Sequence, residues 1–128
     1  MTAVLDASAA LALLRTEPGH EMVAELLPGS VISALNYSEV IQKLAQLGSD
    51  TAEEDTAALI ALGASAAPFD ITAAINTARL WPATRHAGLS LADRACLALA
   101  ADIPNGIAVT ADRAWAQLDL DVPVRLIR

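Results

Sequence analysis

Short apolar runs that end in an acid stand near both ends of the chain, AVLD over 3–6 and GIAVTAD over 106–112. Runs this short and this aliphatic suit strands, and strands apolar on both faces belong in a parallel sheet covered by helices. The stretches between them carry helical spacing and punctuation. SAALALLR (8–15) and HEMVAELL (20–27) read as helices, the second stopped by Pro28-Gly29, and SVISAL (30–35) reads as a strand. NYSEVIQKLAQLG (36–48) puts Tyr37, Val40, Ile41, Leu44 and Leu47 on one helical face and closes at Gly48. Ser49 stands where it can cap DTAEEDTAALIALG, whose first turns hold acids as the helix dipole favours. SAAPFD (65–70) holds a short strand, ITAAINTARLW a helix ended by Pro82, and PATRHAGLS a polar loop. LSLADRACLALA (89–100) is a core helix, uncharged from Ala95 to Ala101 but with Asp93 and Arg94 at its entrance. Trp115 begins a short helical piece and a strand over 123–127 closes the chain. The alternation predicts one α/β domain over 1–128, with a central, mainly parallel sheet of four to five short strands flanked by helices.

Aromatic residues are only 3% of a chain that is 55% hydrophobic, so Ala, Leu, Val and Ile must fill the core by close packing. Cys96 is the sole cysteine, which excludes an intrachain disulfide and a cysteine-built zinc site. The opening MTAVLDASAALALLRTEPG has no basic start and is interrupted by Asp6, unlike a signal peptide. No stretch approaches the roughly 20 apolar residues that span a bilayer. The expectation is a soluble, cytoplasmic protein with no membrane partner.

Four acids stand out, and each has an ordinary structural explanation. Asp6 can cap the helix that follows AVLD. Glu39 can pair with Lys43 one turn on, or close a capping box with Asn36. Asp93 follows Ser90 by three residues, again a capping box, and Asp112 can cap the helix carrying Trp115. Together they are harder to explain so. Asp6 and Asp112 fall just past the carboxyl ends of two strands, where open parallel sheets bind ligands, and Glu39 and Asp93 fall in the first turns of helices that can face the same edge. Four convergent carboxylates repel one another unless a cation sits between them. Hard oxygen donors without a dedicated His or Cys suit Mg²⁺ or Mn²⁺.

Four segments in order, VLDASAAL, SALNYSEV, LSLADRACLALA and VTADRAW, resemble the motifs of PIN-domain ribonucleases, in particular the VapC-type toxins of bacterial toxin–antitoxin pairs. The resemblance runs nearly end to end; Trp115, where the family often has Phe, is a mild departure. It implies that Asp6, Glu39, Asp93 and Asp112 are the catalytic, metal-binding acids, with Ser8 and Thr110 as polar supports. It also implies an endoribonuclease toxin that hydrolyses RNA to leave 5′-phosphates, a homodimer, and a cognate antitoxin that covers the site. The groove between the first helices and NYSEVIQKLAQL, with Leu14 and Leu44, is the expected antitoxin dock.

A net charge of −7 argues against a nucleic-acid partner at first. Setting the four acids aside leaves eleven against eight Lys and Arg, a net of −3. That is compatible with a local basic rim, since phosphate binding depends on local contacts. Arg15, Lys43, Arg79, Arg85, Arg94 and Arg113 are candidates; Arg85, His86, Arg94 and Arg113 are the expected RNA contacts, while His20 reads as structural. A receiver-type domain is disfavoured, because the first motif has one Asp and the only lysine lies early. A PIN-fold nuclease acting on other nucleic acid, and a non-catalytic PIN-like binding protein, remain the alternatives.

Overall fold

A computed structural model describes residues 1–128. Five strands form one sheet: β1 (Thr2–Leu5), β2 (Val31–Ser33), β3 (Ser65–Ala67), β4 (Gly106–Thr110) and β5 (Val124–Leu126). Their order is β3-β2-β1-β4-β5 and every pairing is parallel. Seven helices cover the sheet: α1 (Ala7–Arg15), α2 (His20–Leu26), α3 (Ala34–Gln46), α4 (Ala52–Ala61), α5 (Ile71–Arg79), α6 (Trp81–Thr84) and α7 (Leu91–Asp102). Single 3-10 turns follow at Arg85–Ala87 and Arg113–Gln117. No helix is long and apolar enough to cross a membrane.

The two central strands bury both faces, as the apolar runs require. Alternate residues point to opposite sides. Ala3 and Leu5 of β1 and Val109 of β4 join a core with α1, α2, α3 and α4, built on Ala9, Ala10, Val23, Val40 and Leu59. Val4 and Ala108 join the other core, with Cys96, Leu97 and Ala100 of α7 and the fully buried Trp115. Alanines on α1 and α7 let these helices sit close to the sheet, the packing that an aromatic-poor chain needs.

Several boundaries differ from the sequence reading. The strand expected over 30–35 is only Val31–Ser33, because Ser33 caps α3 by accepting from Leu35 N and the helix starts at Ala34. Asn36 is therefore inside α3 and fully buried, and the capping box with Glu39 does not exist. Leu47, expected on the buried face, is exposed past the last turn, whereas Leu44 is core. At 6% exposure Leu44 cannot belong to an open docking groove, so that part of the expected antitoxin surface is corrected. Ser49 accepts from Thr51 N, but Thr51 is the α4 cap. Pro82 does not end a helix before a loop. It sits in the first turn of α6, where its missing N–H costs nothing, and the supposed polar loop is helical through Ala87.

The chain enters β4 with backbone pressed against backbone. Gly106 N donates to Ile103 O, and a Cβ at Gly106 would lie 2.2 Å from Ala100 O. Neither backbone can move without shifting the end of α7 off the central strand. Gly106→Ala should cost about 3 kcal/mol or more, beyond ordinary overpacking. Urea denaturation checks this, and a loss under about 0.5 kcal/mol would contradict the close approach.

Candidate functional site

The order β3-β2-β1-β4-β5 reverses direction between β1 and β4, and ligands of open parallel sheets bind beyond the carboxyl ends of the strands at such a switch point. Asp6 follows β1 there. Its N–H donates to Val109 O, which carries the sheet ladder one residue past the strand, and it is only 3% exposed. Its Oδ1 accepts from Ala9 N at 2.8 Å, capping α1, and from Ser8 Oγ at 2.7 Å. Its Oδ2 accepts from Thr110 Oγ1 at the end of β4. Both hydroxyls are held in turn: Ser8 Oγ accepts from Ala111 N at 2.8 Å, and Thr110 Oγ1 from Asp112 N at 3.0 Å. Each hydroxyl has one hydrogen and gives it to Asp6, so the 3.3 Å approach of Ser8 to Thr110 is proximity only.

The other three acids come from different elements. Glu39 projects from the second turn of α3, not the first as expected, and is half-buried. Asp93, also half-buried, closes the predicted capping box: its Oδ2 accepts from Ser90 N at 2.9 Å while its own N–H donates to Ser90 Oγ at 3.1 Å. Asp112 is exposed and caps the 3-10 turn by accepting from Ala114 N at 3.0 Å. The capping explanations for Asp6, Asp93 and Asp112 are thus real. So is the convergence, because all four acids line one cleft of about 170 Å³ together with Ala7, Ser8, Leu11 and Lys43. A cap uses part of a carboxylate, which leaves the remainder facing the cleft. The largest cavity, about 340 Å³ between α5 and α7, carries none of them.

Burial pushes the Asp6 carboxyl from 3.8 up to about 6, against the three donors that favour its ionised form, with the Asp93 charge adding to the rise. Burial also raises Glu39; the Asn36 amide lowers it, Asp93 raises it and Lys43 lowers it again. Burial and the same three acids, Asp6, Asp93 and Glu39, push the enclosed Cys96 thiol well up. These shared effects show a concentration of negative potential at one spot. Its donors are carboxylate oxygens alone, the set that hard divalent cations take. As the side chains stand, no three of them are grouped tightly enough to hold an ion between them. The residues fit such a cation in donor type and line one cleft; Glu39, Asp93 and Asp112 have most of their ligating capacity left over, and Asp6, which accepts three hydrogen bonds, keeps one acceptor position on Oδ2.

The expected RNA contacts are not brought to this cleft. Arg94 turns back to donate from Nη1 to Leu89 O at 3.0 Å, which ties down the start of α7. Arg113 donates from Nε to Arg128 O at 3.2 Å. Arg85 lies over the exposed Trp81 ring at 5.3 Å, and His86 is exposed in the 3-10 turn beside it. His20 pairs with Glu21 at 3.1 Å, in line with a structural part. Asn36 is the residue that sequence reasoning missed. From α3 its Nδ2 donates 3.0 Å to Ala92 O in the first turn of α7. It thereby fixes the helix of Glu39 against the residue preceding Asp93. A polar residue one turn before a candidate acid, on the inner face of an amphipathic helix, was the available signal.

The family model described as PIN domain matches residues 3–120. No curated protein matches the chain. Solved structures similar in fold include VapBC from Salmonella typhimurium bound to DNA, with a TM-score of 0.72, 15% identity, and 100% of this chain and 99% of that one covered. VapBC2 from Rickettsia felis bound to a DNA fragment from their promoter gives 0.68 at 14% identity, with 98% of both chains covered. VapBC-1 from nontypeable Haemophilus influenzae gives 0.63 at 19% identity, covering 99% and 98%. At these identities the likeness is one of fold.

The raised Asp6 predicts how stability depends on pH. The folded chain holds this proton up to about pH 6, the unfolded chain only to about 3.8, so between these values the native state binds more protons. The contribution to stability is present below 3.8 and is lost as pH rises through 6, a fall of roughly 3 kcal/mol. Glu39, raised in the same way, acts in the same direction. Urea denaturation in EDTA should show wild type weakening from pH 4.5 to 7.5 and Asp6→Asn weakening less. Parallel pH dependences would rule out the buried, protonated Asp6.

Proposed function

Because the chain belongs to the PIN domain family, we propose that it is a metal-dependent endoribonuclease, the toxin of a toxin–antitoxin pair. The observation that carries the reading is the single cleft lined by Asp6, Glu39, Asp93 and Asp112 at the sheet's switch point. Asp6, Glu39, Asp93 and Asp112 would hold Mg²⁺ or Mn²⁺. Such a cation, when bound, activates water and neutralises the charge developing on a phosphodiester. Asp6 is the anchor, because hydrogen bonds from Ser8, Ala9 and Thr110 fix both of its oxygens in the sheet frame. Ser8 and Thr110 are supports in this reading: they donate to Asp6, and their hydroxyl oxygens accept from the backbone N–H groups of Ala111 and Asp112 respectively. Glu39 and Asp93 face the same space from two helices that Asn36 holds together. No histidine lines the cleft, so proton transfer is left to water and the carboxylates.

The antitoxin is proposed from the fold's likeness to VapBC assemblies of three bacteria. A homodimer, action on RNA rather than DNA, and a cytoplasmic location belong to the same proposal. The free, buried Cys96 is compatible with a reducing compartment.

Purified chain should cut single-stranded RNA with Mg²⁺ or Mn²⁺ and stop when EDTA is added. Asp93→Asn should reduce cleavage to background while far-ultraviolet circular dichroism stays the same, because an Asn oxygen can still accept from Ser90 N. Cleavage by that variant at the wild-type rate would remove the cleft from the reaction. Cutting of DNA but not RNA would retain the metal chemistry and reject the substrate.

A further inference from the structure

One wall of the acidic cleft carries the opposite charge. Lys43 is the only lysine in the chain, and it lines the cleft alongside all four acids. It follows Glu39 by one helical turn on α3, which from sequence alone reads as a surface ion pair. That pair is not formed. The one Lys or Arg side chain within 4 Å of a carboxylate is Arg15, 3.9 Å from Glu17, and the Lys43 ammonium reaches none. Nor does it share in any of the side-chain hydrogen bonds, although arginines 94, 113 and 128 each donate to a backbone carbonyl. Lys43 is exposed, so its three donors face solvent at the cleft and are open to exchange water for a group that enters it.

The electrostatics say what that is. Four carboxylates around one small space repel any polyanion, and a bound divalent cation only partly offsets four negative charges. A substrate phosphate needs a further positive group at the place where it docks. None of Arg85, His86, Arg94 and Arg113 lines the cleft, so Lys43 is the only cationic side chain there. An ammonium on a flexible stem is a compact point charge, well suited to a single phosphate oxygen.

We propose that Lys43 is a substrate-binding residue of the nuclease site, its Nζ donating to a non-bridging oxygen of the phosphodiester that lies at the four acids. This rests on the nucleic-acid reading given above. The competing role is internal. Lys43 also favours the ionised form of Glu39, and if that were its whole task, removing it would shift the acidic limb of the activity profile toward neutrality without touching substrate affinity.

Two measurements on the full chain separate these. In steady-state RNA cleavage with Mg²⁺, Lys43→Ala should raise KM about tenfold, and Lys43→Arg should recover most of the loss. In fluorescence anisotropy with a labelled single-stranded RNA 20-mer, Asp93→Asn and Asp93→Asn/Lys43→Ala are compared across salt concentrations. The added change should weaken binding and lower the slope of log K against log salt by about 0.7, the value for one phosphate contact on a single strand. Unchanged KM and an unchanged slope overturn the proposal, as does a shifted acidic limb at constant KM. If wild type cuts no RNA, the nuclease reading fails by itself. The anisotropy pair still decides Lys43, with weaker binding supporting the contact and equal binding refuting it.

Discussion

The carboxylate of Asp6 is the hinge on which the rest of the architecture turns. It stands at the end of the central strand β1, almost without solvent, and takes hydrogen bonds from Ser8, Ala9 and Thr110. These bonds join the end of β1, the start of α1 and the end of β4, the two strands between which the sheet changes direction. The same group that organises this corner is also electrostatically unsettled. Three donors do not offset the loss of hydration, and the carboxyl keeps its proton to about pH 6. A site where structural need and electrostatic cost coincide suits a cation that resolves the cost.

The surrounding frame is made mostly of small side chains. Strands β1 and β4 are apolar on both faces and feed two separate cores, one under α1 to α4 and one under α7 with Trp115. Alanine brings α1 and α7 close to the sheet, so the first turns of helices and the ends of strands meet at one edge. Close packing also transmits position: with little void to absorb a shift, α7 carries Asp93 to a defined place relative to Asp6. The Asn36 bond to Ala92 O adds a polar tie between α3 and α7 where apolar packing alone would allow sliding.

Much of this was legible before any coordinates. The acids past the strand ends and the Ser90–Asp93 capping box stand where the pattern placed them, and each of the five strands falls within or beside its expected segment, β2 shortened by the early start of α3. Each depends on local rules, which short segments obey whatever surrounds them. The errors arose where a local rule had a rival. Asn36 is a good capping residue, but Ser33 three positions earlier captured the helix start, and Asn36 became an interior tie. Pro82 stops helices in mid-course yet begins them well, and here it begins one. Glu39 and Lys43 have the spacing of a helical ion pair, but both line the cleft and the pair stays open. Arg94 and Arg113, read as RNA contacts, each donate to a backbone carbonyl instead, and Arg85 lies over an aromatic ring, partners found a turn away or farther along the chain.

By itself, the sequence determined the α/β class, the order of elements and the four acids, because periodicity and capping are properties of a few consecutive residues. Only the tertiary structure decided that Asp6, Glu39, Asp93 and Asp112 share one cleft, that Lys43 and no arginine joins them, and that Leu44 is core. Those facts depend on which strand ends and helix turns the sheet order makes neighbours, and proximity between residues dozens of positions apart leaves no trace in local spacing.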